Sequence, residues 1–387
     1  MKVIQIVTQM EAGGAQKVAS LLNQGLRESG HDARLYFLYK KRPAYASEAH
    51  MECLAECRPA ASRWLGVAGN LWKRLRSERP DVVITHTHSA NAFAAPIAAL
   101  AGVPVRIAVH HNPVETYPLV ARIADRLAFA AGAYSTMVTV SGGVTRSFEH
   151  HGGLYKSRLH RIYNGIAPAT EHDSFDVRVR YGIPEQHAVL VNVGRLSRQK
   201  NQSLLFRMLQ HVQQATLLLV GEGELGEELR ATAATLGVSD RVRFTGELAS
   251  ASCAAILRQA DLFLLPSRYE SFCLAAMEAM HHGLPVIASD LPCLREVIGD
   301  DQVFFPCDDE IALTNIVGRL LSSSRQRESM GKAGKARAMR FSAERMVGEY
   351  ELLMSEAMLY ATRHTSAAHD LRRVNALGGV SRIHDQL

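Results

Sequence analysis

Two carboxylates, Glu270 and Glu278, stand eight positions apart at the ends of the run ESFCLAAME. Before them, Ala260 to Ser267 (ADLFLLPS) is a short apolar run broken by Pro266 and reads as a buried parallel strand. A loop and a helix follow: Ser271 is the expected N-cap, Phe272 to His282 has helical periodicity, and Gly283 and Pro285 are stop signals. Glu270 then falls just outside the helix and Glu278 two turns inside it, roughly 10 to 12 Å apart along the axis. That is the reach from a hexose, across a diphosphate, to a ribose. Between the acids, the N–H groups of Phe272, Cys273 and Leu274 form the positive end of the helix, a natural phosphate seat. One carboxylate would accept from sugar hydroxyls and the other from the ribose diol. The bland alternative is a solvated helix face carrying two unrelated acids.

Other candidates lie in loops after apolar runs. GRLSRQKN places Arg195 and Lys200 after a strand ending at Val193, where Arg can fork onto a diphosphate and Lys adds a point charge; solvated surface cations are the alternative. Gly13 and Gly14 in MEAGGAQK permit close backbone approach to a phosphate, or make only a tight turn. Gly221, Gly223 and Gly226 match the dinucleotide fingerprint, and Glu247 follows the next strand. That element opens neither domain, however, and a dehydrogenase would leave Arg195, Lys200 and the glutamates without a role. A plain strand-to-helix turn near a nucleotide explains it as well. His86 and His88 follow one strand in THTHSANAF, and His110 and His111 follow another in VHHNP. A lone His is usually structural and a metal site needs convergent ligands, but four imidazoles at strand ends suit hydroxyl recognition or transition-state charge.

The elements that must position these groups alternate strand and helix throughout. Strands are expected at Lys2 to Thr8, Ala33 to Leu38, Val82 to Thr85, Val105 to Val109 and Met137 to Val140. A second set is expected at Val189 to Val193, Thr216 to Val220, Val242 to Thr245, Leu262 to Leu265 and Val286 to Ala288. This rhythm predicts two doubly wound parallel sheets, with a linker near 164–176 (NGIAPATEHDSFD). In such a pair the strand carboxyl ends can face one another across a cleft.

At 387 residues the chain accommodates two domains of ordinary size. No run of eighteen apolar residues suggests a span, and MKVIQIVTQ reads as a strand rather than a signal peptide. The six cysteines show no CxxC, which predicts reduced, mostly buried thiols in a cytoplasmic protein. Residues 1–170 hold 20 Lys and Arg against 11 Asp and Glu, a balance of +9, whereas the remainder holds 24 against 27. The basic half should meet something anionic: a membrane surface or phosphorylated acceptor ranks above nucleic acid, for which no reader motif is present. Trp64, Leu65, Leu71, Trp72 and Leu75 are spaced as one helical face among Arg63, Lys73, Arg74, Arg76 and Arg79. They form either a membrane-surface helix or an ordinary amphipathic helix on the first sheet.

Taken in order, GGAQK, VHHNP, IYNGI, NVGRLSRQKN, LVGEGE, VRFTG and PSRYESFCLAAMEAMHHGLPVIASD resemble a retaining glycosyltransferase of family 4, over about residues 1–355. The E-x7-E core of the last piece is the most specific. The resemblance implies the GT-B architecture, two Rossmann-like domains facing a central cleft. Residues 1–168 would form the acceptor-side domain and 169–342 the nucleotide-sugar domain. Residues 343–361 would form a crossover helix back to the first domain, with 362–387 a tail.

By the same resemblance, Arg195 and Lys200 would bind the donor diphosphate and stabilise the leaving nucleotide in place of a metal, so neither cofactor nor metal is expected. Glu270 would hold the transferred sugar and Glu278 the ribose. Ser271, Phe272, Cys273 and Leu274 would line sugar and phosphate; Gly13 and Gly14 would approach the distal phosphate; Gly221 would lie by the nucleotide and Leu248 by the base. Either His110 or His111 would face the sugar, while His86, His88 and Asn112 would stand on the acceptor side. Many members carry Gly where this chain has Cys273, so the thiol would intrude on the phosphate seat; His281 and His282 lie past it. The expected activity is hexosyl or N-acetylhexosaminyl transfer, with a UDP-sugar foremost, to a glycan or lipid-linked acceptor in surface polysaccharide or lipopolysaccharide synthesis. The enzyme would work in the cytoplasm or at the inner face of its membrane. A sugar-nucleotide epimerase or hydrolase, and an NAD-dependent oxidoreductase, are the alternatives. Acceptor choice would rest on loops 9–16, 40–66 and 86–95.

Overall fold

The computed structural model describes residues 1–11, 13–42, 50–149, 155–167 and 173–378 and divides into two compact units. The first gathers Met1–Thr139, Phe148–Ile162 and the chain from Met346 onward; the second gathers Val140–Ser147 and Tyr163–Arg345. The expected boundary at 168/169, and parts of the 9–16 and 40–66 loops, lie outside the described residues.

In the first unit the strands are β1 (Lys2–Met10), β2 (Asp32–Lys40), β3 (Met51–Cys53), β4 (Val82–His86), β5 (Val105–His110), β6 (Thr136–Thr139) and β7 (Leu159–Arg161). They form one parallel sheet in the order β3-β2-β1-β4-β5-β6-β7, with Val3 opposite Val82 and Val82 opposite Val105. The helices are α1 (Gly14–Glu28), α2 (Trp64–Glu78), α3 (His88–Leu100), α4 (Leu119–Ala130) and α5 (Gly142–Glu149), the last crossing from the second unit into the first. Val, Ile and Leu runs form the central strands because helices cover both faces. Ile4, Ile6 and Val83 pack with Leu71, Leu75, Ala94 and Ala98, while Val7, Leu35 and Phe37 pack with Ala19.

The second unit repeats the plan. Strands β8 (Ala188–Val193), β9 (Ala215–Val220), β10 (Val242–Gly246), β11 (Leu262–Leu265), β12 (Val286–Ser289) and β13 (Val303–Phe305) form a parallel sheet ordered β10-β9-β8-β11-β12-β13. Its helices are α6 (Val177–Tyr181), α7 (Ser203–His211), α8 (Gly226–Thr235), α9 (Ser250–Gln259), α10 (Leu274–His281), α11 (Pro292–Ile298), α12 (Glu310–Leu321) and α13 (Ser324–Ala338). Asp176, Asp309 and Ser323 accept backbone N–H bonds at the starts of α6, α12 and α13, as N-caps do. In each parallel sheet the order of strand addition reverses once, at β1/β4 and at β8/β11, and the carboxyl ends there are where such folds bind ligands.

A final helix, α14 (Ala343–Gly378), runs unbroken past residue 361. Its buried Val347 lies so close to α1 that a Cβ on Gly25 would stand 2.4 Å from Val347 Cγ2, and His31 Nε2 meets Glu351 Oε1 at 3.0 Å.

Three features depart from the sequence expectations. Strands β3, β7 and β13 were not expected, because three residues on a sheet edge carry no readable period. Of the six free cysteines only Cys253 and Cys273 are buried; Cys53 and Cys293 are half-buried, and Cys57 and Cys307 exposed. The five apolar residues of α2 do not share one outward face. Leu71 and Leu75 are core residues and Trp64 packs edge-on against Tyr39 and Phe93, leaving Leu65 and Trp72 outside.

Candidate active site

In the second unit the loops after β8 and β11 interlock at the switch point. Arg268 N donates to Gln199 O (2.9 Å), Gln199 Nε2 to Tyr269 O (2.9 Å) and Asn201 Nδ2 to Pro266 O (3.2 Å). At the centre Lys200 Nζ donates to Glu270 Oε1 at 2.5 Å, and Ser267 Oγ donates to the same oxygen at 2.8 Å. Burial alone would lower the Lys200 pKa, but the Glu270 carboxylate outweighs it and the net shift is upward, so the ammonium stays charged. Arg195 is exposed on the same loop, and its like charge is felt at Lys200.

The helix beyond Glu270 starts later than expected. Ser271 is not its cap: Cys273 occupies that position in the left-handed region (φ 66°, ψ 76°), and α10 begins at Leu274. A left-handed residue interrupts helical dihedrals, so the helix starts after Cys273; the Phe272 ring before it lies near Tyr163 (6.3 Å between centroids) and Phe341 (5.7 Å). The unpaired donors of the first turn therefore belong to Leu274 and the residues after it rather than to Phe272. Glu278 stands one turn inside α10, not two, half-buried on the same face as Leu274. Cys293 Sγ donates to Glu270 O at 2.9 Å. Burial raises both thiols, Cys273 to about 12 and Cys293 to about 11, so neither is a nucleophile at neutral pH. Leu248 is half-buried in the segment between β10 and α9.

The fingerprint-like glycines have a packing role. A Cβ on Gly221 would lie 2.3 Å from Gly194 O, and one on Gly223 2.2 Å from Leu196 O; Gly226 meets only Leu196 Cδ1, at 3.8 Å. Gly194 N to Val220 O (2.9 Å) and Leu196 N to Glu222 O (3.1 Å) tie the two loops together. The glycines thus seat the Arg195 loop against its neighbour.

In the first unit Gly13 leads into α1, which Gly14 opens, and a Cβ on Gly13 would meet Gln16 Oε1 at 2.5 Å. At the end of β4, Thr87 takes φ 75°, an outlier for a β-branched residue, and its hydroxyl lies 2.6 Å from that of Thr8 on β1. His88 opens α3 beside the Tyr117 ring. The two adjacent histidines are separated. The His110 ring is fully buried against Phe148, with Nδ1 3.4 Å from Tyr117 Oη and Nε2 3.9 Å from Asp125 Oδ1. His111 turns to His86, and exposed Asn112 follows it.

Hydrogen bonding fixes the tautomers. Gln5 Nε2 donates to Asn23 Oδ1 (3.5 Å), which leaves Gln5 Oε1 to accept from His86 Nε2 (2.9 Å). His86 Nδ1 is then the acceptor, so His111 Nε2 carries the proton shared at 3.2 Å and His111 Nδ1 holds a lone pair. Burial keeps both rings neutral, with His111, like His110, lowered to about 3.

The comparisons with known proteins follow this division. Residues 12–170 match the model described as Glycosyltransferase Family 4, and residues 173–337 match that described as Glycosyl transferases group 1. The chain belongs to glycosyltransferase family 4. This family-4 chain is 30% identical to a D-inositol 3-phosphate glycosyltransferase of Xylanimonas cellulosilytica over 49% of each chain. It is 41% identical to an MMP alpha-(1->4)-mannosyltransferase of Mycolicibacterium hassiacum over 27% of this chain and 26% of that one. The family-4 chain thus spans about half or less of these relatives' lengths. Among solved structures, HepE of Anabaena in complex with UDP and glucose matches with a TM-score of 0.81 at 20% identity, covering 92% of this chain and 100% of that one. The family-4 fold is GT-B, with two parallel-sheet Rossmann-like units.

Positioning groups that sequence reasoning missed are Ser267 and Cys293 around Glu270, Gln199 and Asn201 between the loops, and Gln5 behind His86. Only Gln5 carried a signal, a polar residue at an inward position of an apolar strand.

Proposed function

We propose that the chain is a retaining transferase that moves a hexose or N-acetylhexosamine from a nucleotide-sugar, a UDP-sugar foremost, to a glycan or lipid-linked acceptor. The product would enter surface polysaccharide or lipopolysaccharide. The observation that carries this reading is the Lys200–Glu270 pair at the β8/β11 switch point, one short loop before the start of α10. Arg195 and Lys200 neutralise the diphosphate in place of a metal, and the Leu274 end of α10 seats phosphate with Cys273 beside it. Glu270 accepts from the hydroxyls of the transferred sugar and Glu278 from the ribose. Gly13 and Gly14 approach the distal phosphate, and the Leu248 segment meets the base. Of the two histidines His111 is the sugar reader, since His110 is enclosed by Phe148, Tyr117 and Asp125. The departing phosphate oxygen takes the acceptor proton on the face of attack, with no enzymic nucleophile. That HepE was solved with UDP and glucose supports the choice of donor. The enzyme works peripherally at a membrane, and among the described residues no helix is long and apolar enough to cross one.

Nucleotide release from UDP-, GDP- and ADP-sugars, with and without lipid-linked acceptor, tests this reading together with the anomeric configuration of the product by NMR. Acceptor-dependent release with retained configuration is expected. Acceptor-independent release or an isomerised free sugar would replace it with hydrolase or epimerase activity.

A further inference from the structure

The two ends of α5 are held by different sets of residues. At its start Ser141 Oγ accepts from Val144 N at 3.3 Å, which leaves the Gly142 N–H, a first-turn donor that no helical carbonyl can reach. Glu296 on α11 takes it: Gly142 N donates to Glu296 Oε1 at 2.6 Å, and the Tyr163 hydroxyl donates to the same oxygen at 2.9 Å. Arg146, one turn along α5, stands 3.9 Å from Glu296 Oε2. A Cβ on Gly142 would lie 2.8 Å from both carboxylate oxygens, so only glycine admits the acid this closely. The helix dipole favours a carboxylate there as well. Glu296 is anchored from behind, since Arg337 of α13 donates through Nη2 to Glu296 O at 2.5 Å and through Nε to Val297 O at 3.1 Å.

The other end carries Phe148, about 9 Å along the axis from Gly142. Phe148 is fully buried, with its ring centroid 4.3 Å from that of His110 and 5.8 Å from that of Tyr155. His110 has little else to hold it. Its Nδ1 is 3.4 Å from Tyr117 Oη, at the long limit of a hydrogen bond. Its Nε2 is buried with no hydrogen-bond partner among the described residues, Asp125 Oδ1 lying 3.9 Å away. A buried ring without firm polar partners stands where its packing neighbours put it. The nearest aromatic neighbour rides on α5.

We propose that Glu296 is a positioning residue for His110 and acts through α5. Seated on Gly142, the carboxylate fixes the start of the helix, and the helix, a short rigid rod, fixes Phe148 against the imidazole. When the seat is lost, Phe148 shifts and His110 closes on Asp125, making the bond that the present packing holds open. His110 directly precedes His111, so the same seat steadies the residue that the proposed function assigns to the sugar. Only this last point rests on that reading.

Amide hydrogen exchange and nitrogen-15 histidine spectra of the full chain test both ends of the helix without requiring turnover. Glu296→Ala should speed exchange at residues 142–144 at least about tenfold and shift the His110 ring signals. The titratable groups facing that ring or its Phe148 neighbour are His88 on α3, Asp125 on α4, Tyr117 and Tyr155, and of these only Asp125 is a carboxylate. In the wild type burial, aided by His88, lowers His110 to about 3. A carboxylate partner favours the imidazolium, so the variant ring should titrate at a higher pH. Gly142→Ala, whose Cβ displaces the carboxylate, should reproduce both effects, and Tyr163→Phe, which removes one donor, should give smaller ones. Phe148→Leu should move the His110 signals while exchange at 142–144 stays as in the wild type. Urea denaturation midpoints identify the variants that fold, Tyr163→Phe being the mildest. Unchanged exchange in Glu296→Ala overturns the proposal. So does faster exchange with the His110 signals fixed, which would make Glu296 a local helix cap.

Discussion

Lys200 Nζ lies 2.5 Å from Glu270 Oε1 although 70 positions separate the two residues, and the loops on which they sit are bonded to each other through backbone as well. The pair is largely enclosed, with 16% and 6% of the side chains exposed, so removing one partner strands the other. Lys200→Ala is expected to reduce acceptor-dependent nucleotide release about 100-fold or more, with Lys200→Arg recovering part of it. Steady-state kinetics decide, and a Lys200→Ala enzyme at full activity would remove the diphosphate assignment.

Gly223 and Gly226 belong to one sequence motif and should respond differently. Because a Cβ on Gly223 would press on Leu196 O at 2.2 Å, Gly223→Ala should cost about 2 kcal/mol or more in urea denaturation. Gly226→Ala, with its nearest neighbour at 3.8 Å, should be neutral within about 1 kcal/mol. Equal effects at both positions would defeat the packing explanation.

Cys273 holds a left-handed conformation that glycine adopts freely. Cys273→Gly is expected to stabilise the chain by about 1 kcal/mol as that strain is relieved, read as a rise in denaturation midpoint. A fall would mean that the buried thiol contributes more packing than the conformation costs.

Burial raises the Asp125 carboxyl from 3.8 to about 6. Below about pH 4 folded and unfolded chains both hold the proton and nothing is lost. Between about pH 4 and 6 the unfolded chain ionises first and stability falls; above that the cost levels off near about 3 kcal/mol. The gain from Asp125→Asn should therefore grow from pH 4 to 6.5 and then stay constant, as denaturation at a series of pH values will show. A gain independent of pH would mean that Asp125 is not the titrating group.

His111 should appear in nitrogen-15 spectra as a neutral ring protonated at Nε2, down to about pH 4. Gln5→Leu removes the acceptor that orders the chain of bonds and should mix the two tautomers. A wild-type ring protonated at Nδ1 would contradict the Gln5–His86–His111 arrangement.

The alternation of strands and helices was legible because each central strand is a continuous apolar run bounded by turn residues, and Arg195, Lys200 and Glu270 could be placed at strand ends for that reason. The start of α10 was not, because Ser271 is a good cap by type, whereas the left-handed turn at Cys273, a conformation rare for a non-glycine residue, moves the helix start to Leu274. Nor was the division of the apolar residues of α2 and α4 between core and surface. Periodicity finds an apolar face but does not say whether the fold will cover it: in α2 the core takes Leu71 and Leu75, and in α4 it takes the opposite side from the leucines. His110 and His111 were inseparable on paper because adjacent residues at a strand end diverge only when both neighbouring layers are known.

Glu270 is itself an anion seated on Lys200, with Ser267 holding it there. A phosphate reaching that ammonium changes the cation's partner rather than meeting a bare charge, so its advantage is the difference between two anions. Chloride or a simple carboxylate offers little beyond what Glu270 already supplies, whereas a diphosphate in the proposed site would bring more charge and further contacts at Arg195 and the α10 terminus. If the pair is the donor site proposed above, the resident carboxylate sets a threshold that small anions such as chloride do not pass.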